Sequence, residues 1–138
     1  MAKLGSKPSF NYNLCETITA AKTLTSSDNG KVFYLDSSDG AYTITLPSVS
    51  PALHFKFVVQ ENTPTAAITI TGSSAIVNGC VGSGDATTAK VEETGGTAVT
   101  NVIIGTGAEK GAWLEFDCDG TSWYFRGAGT PDNWITTS

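Results

Sequence analysis

The feature that most constrains the fold is an alternation of apolar and polar residues with a period of two. Within residues 55–60 and again within 112–118, every second position is apolar. Successive side chains of a β-strand point to opposite faces, so this pattern is typical of strands that bury one face. No window keeps the 3.6-residue apolar period of a helix, so the sequence predicts an all-β chain.

Turn residues cut this pattern into short pieces. The segments 26–30, 36–40 and 119–122 are rich in Ser, Asp, Asn and Gly, which favour turns. We therefore expect about eight or nine short strands, and such spacing is typical of an antiparallel β-sandwich or jelly-roll-like domain. The expected strands lie at 14–19, 32–35, 42–46, 55–60, 68–71, 76–77, 99–104, 112–118 and 123–126. The short run 32–35 is apolar throughout, which predicts a strand covered on both faces.

The chain divides into three expected regions. Residues 1–13 are polar and are predicted to form an extended N-terminal arm, residues 14–127 the β-sandwich domain, and residues 128–138 a loose C-terminal tail. Within the domain, residues 79–97 form a glycine-rich polar excursion, with a strand expected near 88–91. An irregular segment of that length is uncommon in a compact domain and is often functional.

Composition excludes several classes of protein. The 138 residues suit one domain, only 15% of them are charged, and the formal net charge is -5. An acidic chain with scattered basic residues has no electrostatic footprint for nucleic acid or for an anionic membrane. No apolar stretch has the length of a membrane span, and the first residues lack the apolar core of a signal peptide. We expect the protein to be made and kept in a cytoplasm, or released only by lysis.

The residues that usually carry chemistry are few. His54 is the only histidine and falls on the polar phase of its strand, which favours a surface role. Cys15, Cys80 and Cys118 are too far apart in sequence to form the paired ligands of a zinc site, and their odd number does not indicate a disulfide framework. We expect them to be small apolar core residues. The sequence thus predicts no enzyme, no catalytic residue, no metal site and no cofactor.

Five apolar residues are candidate interface residues instead. Trp113 is out of phase with the apolar positions of its strand, so it either faces outward, toward a sugar or a partner, or lies under a second layer. Trp134 has the same ambiguity, and with Ile135 near the C-terminus it suggests an anchor onto a neighbouring subunit. Phe10 and Tyr12 favour an arm that packs on another surface.

Four motifs occur in an order that resembles a known family. They are the segment 23–33 (TLTSSDNGKVF), the segment 41–47 (AYTITLP), the segment 55–57 (FKF) and the segment 113–124 (WLEFDCDGTSWY). This order is similar to that of small tailed-phage virion proteins, and in a chain this short it most resembles the capsid decoration (head-stabilising) proteins. Two of the motifs, the Leu-Pro strand and the Asp-Gly-Thr-x-Trp-Tyr hairpin, also resemble modules of phage tail fibres. The resemblance spans roughly residues 20–127.

The resemblance implies a β-sandwich or jelly-roll unit that is commonly trimeric and bound to the outside of the phage head. The expected partners are the major capsid protein and further copies of the chain, in a virion assembled in the host cytoplasm. It implies no catalytic residues. Two alternatives stay open: a tail-fibre or baseplate module, and a carbohydrate-binding β-sandwich that stacks Trp113 or Trp134 on a host-surface glycan.

Overall fold

The computed structural model describes residues 14–74, 77–84, 89–93 and 96–138, with the backbone alone for 89–93. Its strands are β1 (Cys15–Ile18), β2 (Lys22–Thr23), β3 (Val32–Leu35), β4 (Tyr42–Thr45), β5 (Pro51–Val59), β6 (Ile68–Thr71), β7 (Val77–Gly84), β8 (Ala89–Glu93), β9 (Asn101–Ile104), β10 (Trp113–Asp119), β11 (Trp123–Gly129) and β12 (Ile135–Thr137). One 3-10 turn, Ser26–Asp28, joins β2 to β3. In these ranges no helix has the length and apolar character needed to span a bilayer.

The strands form two sheets, which confirms the all-β prediction. Sheet A has seven strands in the order β1-β3-β5-β10-β11-β7-β8, and sheet B has five in the order β12-β9-β6-β4-β2. Of the ten strand pairings in the described ranges, five are parallel and five antiparallel. Both sheets are therefore mixed, and the expected purely antiparallel arrangement is not confirmed.

Four of the five parallel pairings come from the path of the first half of the chain, and the fifth joins β7 to β11. Between β1 and β6 the chain enters sheet A and sheet B in turn, so each return to a sheet lays the new strand beside the one before it, in the same direction. Equal residue types then stack: Phe33 pairs with Phe57, and Ile44 with Ile70. The alternation of apolar and polar residues shows which face a residue occupies but not the direction of the neighbouring strand. It therefore did not predict that the chain would alternate between the two sheets.

The second half contains the hairpin that the sequence predicted. Strands β10 and β11 pair antiparallel around the turn 119–122, and β10 also pairs antiparallel with β5. In the turn, Asp119 Oδ1 accepts hydrogen bonds from the backbone N–H groups of Ser122 (2.8 Å) and Thr121 (2.7 Å). These bonds lower the pKa of Asp119 below its usual range. The hairpin occupies the middle of sheet A, so its outward side chains lie at the centre of that sheet.

The inner faces of both sheets contribute to one hydrophobic core. Sheet A supplies aromatic rings that touch across strands, with centroids 5.5 Å apart for Phe33 and Phe57 and 5.6 Å apart for Phe57 and Phe116. Sheet B supplies mainly isoleucine and valine, such as Ile44 and Ile70. Burial of each such side chain is worth about 1.5–3 kcal/mol. This shared core holds the two outer faces in fixed positions.

Several local predictions need correction. Strand β3 alternates, because Tyr34 is 38% exposed while its neighbours Phe33 and Leu35 are buried, so this strand is covered on one face only. Cys118 is a core residue as expected, but Cys15 and Cys80 are exposed. Their strands place both thiols on the outer face of sheet A, in the rows of Lys56 and Arg126, and this pairing was not visible in the local sequence pattern.

The glycine-rich excursion contains more regular structure than the sequence indicated. Strand β7 continues from Val77 through the glycines to Gly84, since it pairs with β11 on one side and with β8 on the other. Backbone hydrogen bonds on both edges therefore replace the side-chain packing that the glycines lack. Residues 76 and 88, which belonged to the expected strands, and the expected arm 1–13 lie outside the described residues.

The expected loose tail is part of the fold. Strand β12 pairs with β9, and the last residue, Ser138, exchanges backbone hydrogen bonds with Asn101. Trp134 is 0% exposed, and a Cβ atom on Gly129 would lie 2.6 Å from its indole ring. A glycine at this position therefore leaves the space that the indole fills. The tail closes one edge of sheet B.

Candidate interaction surface

The outer face of sheet A brings together aromatic and charged side chains from several strands. Strand register aligns them in three rows that cross β5, β10 and β11. The apolar row contains Tyr34, Val58, Trp113 and Ala128, the charged row contains Lys56, Glu115 and Arg126, and the third row contains His54, Asp117 and Tyr124. Because neighbouring strands lie about 4.8 Å apart, each row is a continuous line of touching side chains.

The charged side chains form one connected network. Glu115 lies between two cations, 3.5 Å from Lys56 Nζ and 3.2 Å from Arg126 Nε. Arg126 Nη2 also lies 2.9 Å from Asp117 Oδ2, and these atoms form an ion pair whose geometry does not meet the criteria of a hydrogen bond. The other carboxylate oxygen, Asp117 Oδ1, is 2.7 Å from His54 Nδ1. Exposed ion pairs contribute at most about 1 kcal/mol each to stability. The network therefore matters mainly because it fixes the positions of these side chains.

Trp113 adds an aromatic surface beside this network. The residue is half-buried, and Lys56 Nζ lies 5.0 Å from its ring centroid, within the range of a cation–π contact. An open groove of about 390 Å³ runs alongside the ring, lined also by Lys110, Ala128 and Thr130. Trp113 thus faces outward, as one of the two readings of its phase predicted, and its ring is part of the surface.

Two tyrosines extend the aromatic surface across the face. Tyr34 is 38% exposed and Tyr124 is 46% exposed. The Tyr124 hydroxyl donates a hydrogen bond to Asp119 Oδ2 at 3.1 Å, and this bond raises the pKa of Tyr124 above its usual value. The same hydrogen bond holds the phenol in one direction. Rigid aromatic side chains of this kind supply large contact area at low entropic cost.

The outer face of sheet B is different in kind. Its register aligns Thr23, Thr45, Thr71 and Asn101 in one row and Thr43, Thr69, Ile103 and Thr136 in the other. None of these eight described positions carries a charge. Threonine fits a half-buried pleated surface and has high β-propensity. Sheet B therefore shows what strand formation alone requires of an outer face.

The five candidate interface residues lie in different environments or outside the described residues. Trp113 lies on the surface described above. Trp134 and Ile135 are 0% and 2% exposed, so neither is available to a neighbouring subunit or to a sugar in this fold. Both instead anchor the C-terminus to the core of their own chain. Phe10 and Tyr12 lie outside the described residues.

Sequence reasoning missed the other members of this face. His54 had no visible partner in the sequence, yet Asp117 lies directly opposite it on β10. Tyr124 and Arg126 share the outward phase of β11, and the turn 119–122 sets their register against β10. That turn was a usable signal, because it fixes which residues of a hairpin face each other. The pairing of β10 with β5 had no comparable signal.

A second charged cluster lies where the edge strand β1 of sheet A meets the edge strand β2 of sheet B. Glu16 of β1 contacts Lys22 of β2, and Lys31 lies between Glu16 (3.6 Å) and Asp28 (2.7 Å). Burial raises the pKa of Asp28, but hydrogen bonds from Lys31 and from the Thr25 backbone outweigh it and hold that pKa below its usual value. Inward-pointing charges protect a free strand edge from pairing with other chains. This cluster therefore protects the edge from pairing with strands of other chains.

Searches for a family or a metal centre do not add an assignment. The sequence matches no protein-family model and no curated protein. Within the ranges that the structure describes, no three His, Cys, Asp or Glu side chains come together as metal ligands. The motifs and the outer face of sheet A are therefore the features from which a function is inferred.

Proposed function

We propose that the protein is a structural virion protein, a capsid decoration protein that binds the outside of a phage head and stabilises the lattice of the major capsid protein. We further propose that its two sheets form a β-sandwich and that it acts as a homotrimer on the virion surface. The outer face of sheet A is the binding surface in this proposal. The observation that carries it is that exposed aromatic rings and an ordered ion-pair network share one face, whereas the described outer face of sheet B has neither.

The chemistry of that face suits a protein partner. Binding energy at interfaces concentrates in a few aromatic and arginine side chains, which here are Trp113, Tyr124 and Arg126. The opposite charges on neighbouring strands give the face a pattern that selects one orientation of a partner. Repeated on a symmetric shell, many modest contacts of this kind add to a large total stabilisation.

The test is binding to emptied, expanded heads of the phage that encodes the chain. We expect the purified protein to co-sediment with these heads at hundreds of copies per particle, on the order of one per surface lattice position. Trp113→Ala and Tyr124→Ala should each weaken binding by about tenfold or more, as hot-spot truncations do. Thr69→Ala, on the outer face of sheet B, is the matched control and should bind like the wild type.

Two results would overturn this proposal. The first is a protein that neither co-purifies with virions nor binds the heads. The second is a loss of binding in Thr69→Ala equal to that in Trp113→Ala, which would remove the outer face of sheet A as the binding surface. A copy number of a few to tens per particle would move the protein to the tail, as a tail-fibre or baseplate module. Light scattering of the purified protein measures the proposed trimer directly.

A second candidate function is carbohydrate binding, favoured by the groove beside Trp113. An indole next to an open groove with nearby hydroxyl and amine groups has the elements of a sugar-stacking site. Only Trp113 serves this purpose, since Trp134 is buried. A glycan array followed by Trp113→Ala is the test. An empty array, or binding that Trp113→Ala leaves unchanged, would exclude the candidate.

A further inference from the structure

We propose that the N-terminal segment 8–13 docks into a groove at the end of its own chain's two sheets. The groove has a volume of about 620 Å³ and lies where β2 and β4 end and β5 begins. Its lining is mainly apolar, with Leu24, Leu46, Val49 and Leu53 among its residues. This inference does not depend on the virion role, because it concerns contacts within one chain.

The position at which the described chain begins brings the segment close to the groove. The carbonyl of Leu14 accepts a hydrogen bond from the Val32 N–H at 2.8 Å. Val32 pairs with Lys56, which lies three residues after Leu53 on β5. Two strand spacings, about 10 Å, therefore separate Leu14 laterally from the β5 side of the groove. Four extended residues span about 13 Å, so residues 10–13 have the length to reach it.

The composition of the segment matches that of the groove. Residues 8–13 contain no charge, and Phe10 and Tyr12 alternate with Asn11 and Asn13. An extended segment of this pattern presents both rings on one side. The residues that line the groove are all serine, threonine, proline, leucine or valine, so docking there desolvates no charge. Leu14 itself is 59% exposed at the point where the segment starts, which leaves apolar surface for the segment to cover.

The same chain is the favoured source of the segment. A short tether gives an intramolecular ligand an effective concentration on the order of millimolar, well above the concentration of a second copy in dilute solution. The competing occupants are the segment of a second copy and no segment at all. Both are distinguishable from the proposal by proteolysis at different protein concentrations.

The experiment is limited chymotrypsin cleavage after Phe10 and Tyr12, followed by mass spectrometry of the intact protein. We expect slow cleavage in the wild type, and cleavage faster by about tenfold or more in Val49→Asp, because proteolysis follows the population of the open form. Ser38→Asp is the matched control, since it adds the same charge at an exposed turn, and it should cleave like the wild type. The thermal unfolding midpoint of each variant shows whether it is folded.

Dilution separates the remaining outcomes. Protection that stays constant when the protein is diluted a hundredfold supports docking within one chain. Protection that disappears on dilution overturns the proposal in favour of exchange between copies. Rapid cleavage of the wild type, equal to that of Val49→Asp, overturns it in favour of a free segment. A folded Phe10→Ala variant adds a readout without altering the groove, because loss of one docked ring should make cleavage after Tyr12 faster than in the wild type.

Discussion

Sheet A and sheet B meet in one core but are built from different side chains on both faces. Among the described side chains, sheet A turns six aromatic rings inward, whereas sheet B turns mostly isoleucine and valine inward, with Tyr42 as an exception. Outside, sheet A carries charges and aromatic rings, and sheet B carries threonine. Threonine is enough to form and solubilise a strand. The extra aromatic and charged residues of sheet A therefore require another explanation, and binding supplies one.

Substitutions that test the difference between the two inner faces should have the largest effect on the free energy of unfolding. Phe116 contacts both Phe57 and Phe125 and is fully buried, so Phe116→Ala should lower the free energy of unfolding by about 3–5 kcal/mol. In sheet B, the matched truncation Ile70→Ala of an equally buried residue should cost less, about 2–4 kcal/mol, because it removes fewer buried atoms. Urea unfolding of both variants measures this. A cost for Phe116→Ala no larger than that for Ile70→Ala would contradict the view that the aromatic sheet dominates the core.

The charged cluster around Asp28, beside β1 and β2, gives the next largest expected effect on the free energy of unfolding. Asp28 Oδ2 accepts a hydrogen bond from the Thr25 backbone N–H at 3.0 Å, and Asp28 Oδ1 contacts Lys31, so Asp28→Asn should cost about 1 kcal/mol at neutral pH. The pKa of Asp28 in the folded protein is lower than its usual 3.8, so its contribution is present above that pH and is lost as the pH falls through the folded pKa. The gap between wild type and variant should therefore close in acid. Unfolding measured from pH 6 to pH 2 would contradict this if the gap stayed constant.

The charged outer face of sheet A gives a smaller effect on stability. Arg126→Ala breaks contacts to Glu115 and Asp117 and should cost about 1 kcal/mol or less, because these groups are partly exposed. The cost should shrink in 1 M NaCl, where the Debye length falls to about 3 Å. Chemical unfolding at low and high salt checks this. A cost of several kcal/mol, unchanged by salt, would mean that the network is structural rather than part of a binding surface.

The threonine face of sheet B gives the smallest effect. Thr69→Val replaces the hydroxyl by a methyl group of similar shape at a partly exposed position. We expect a change in the free energy of unfolding within about 0.5 kcal/mol, as for surface substitutions away from special features. Thermal unfolding of the variant measures it. A large loss would show that the outer face of sheet B is also engaged in contacts, and the contrast between the sheets would weaken.

Sequence patterns located strands well wherever a turn bounded an alternating segment. The strands β4, β5, β6, β10 and β11 overlap the predicted segments, since one buried face leaves a clear record in the sequence. Strand β7 was underestimated, because its glycines have no side chains to show a pattern. Trp134 and Ile135 were misassigned to a partner, because a terminal segment with few neighbours in sequence gives no sign of what it packs against.

The candidate site was predicted only in part. Trp113 was recognised from its phase, but the residues around it were not, because they come from three different strands. Lys56 reaches Trp113 and Glu115 only through the pairing of β5 with β10, which join segments more than fifty residues apart in sequence. A rule of local alternation contains no information on such a pairing.

The sequence by itself determined which side chains point inward and where the chain turns, because the side-chain period of a strand and the conformational preferences of Asp, Asn and Gly are local properties. The tertiary structure alone decided which strands lie side by side, in which direction, and hence which outward residues meet. That choice depends on how the whole chain closes a single core between two sheets, so it arises only when every strand competes for the same buried surface.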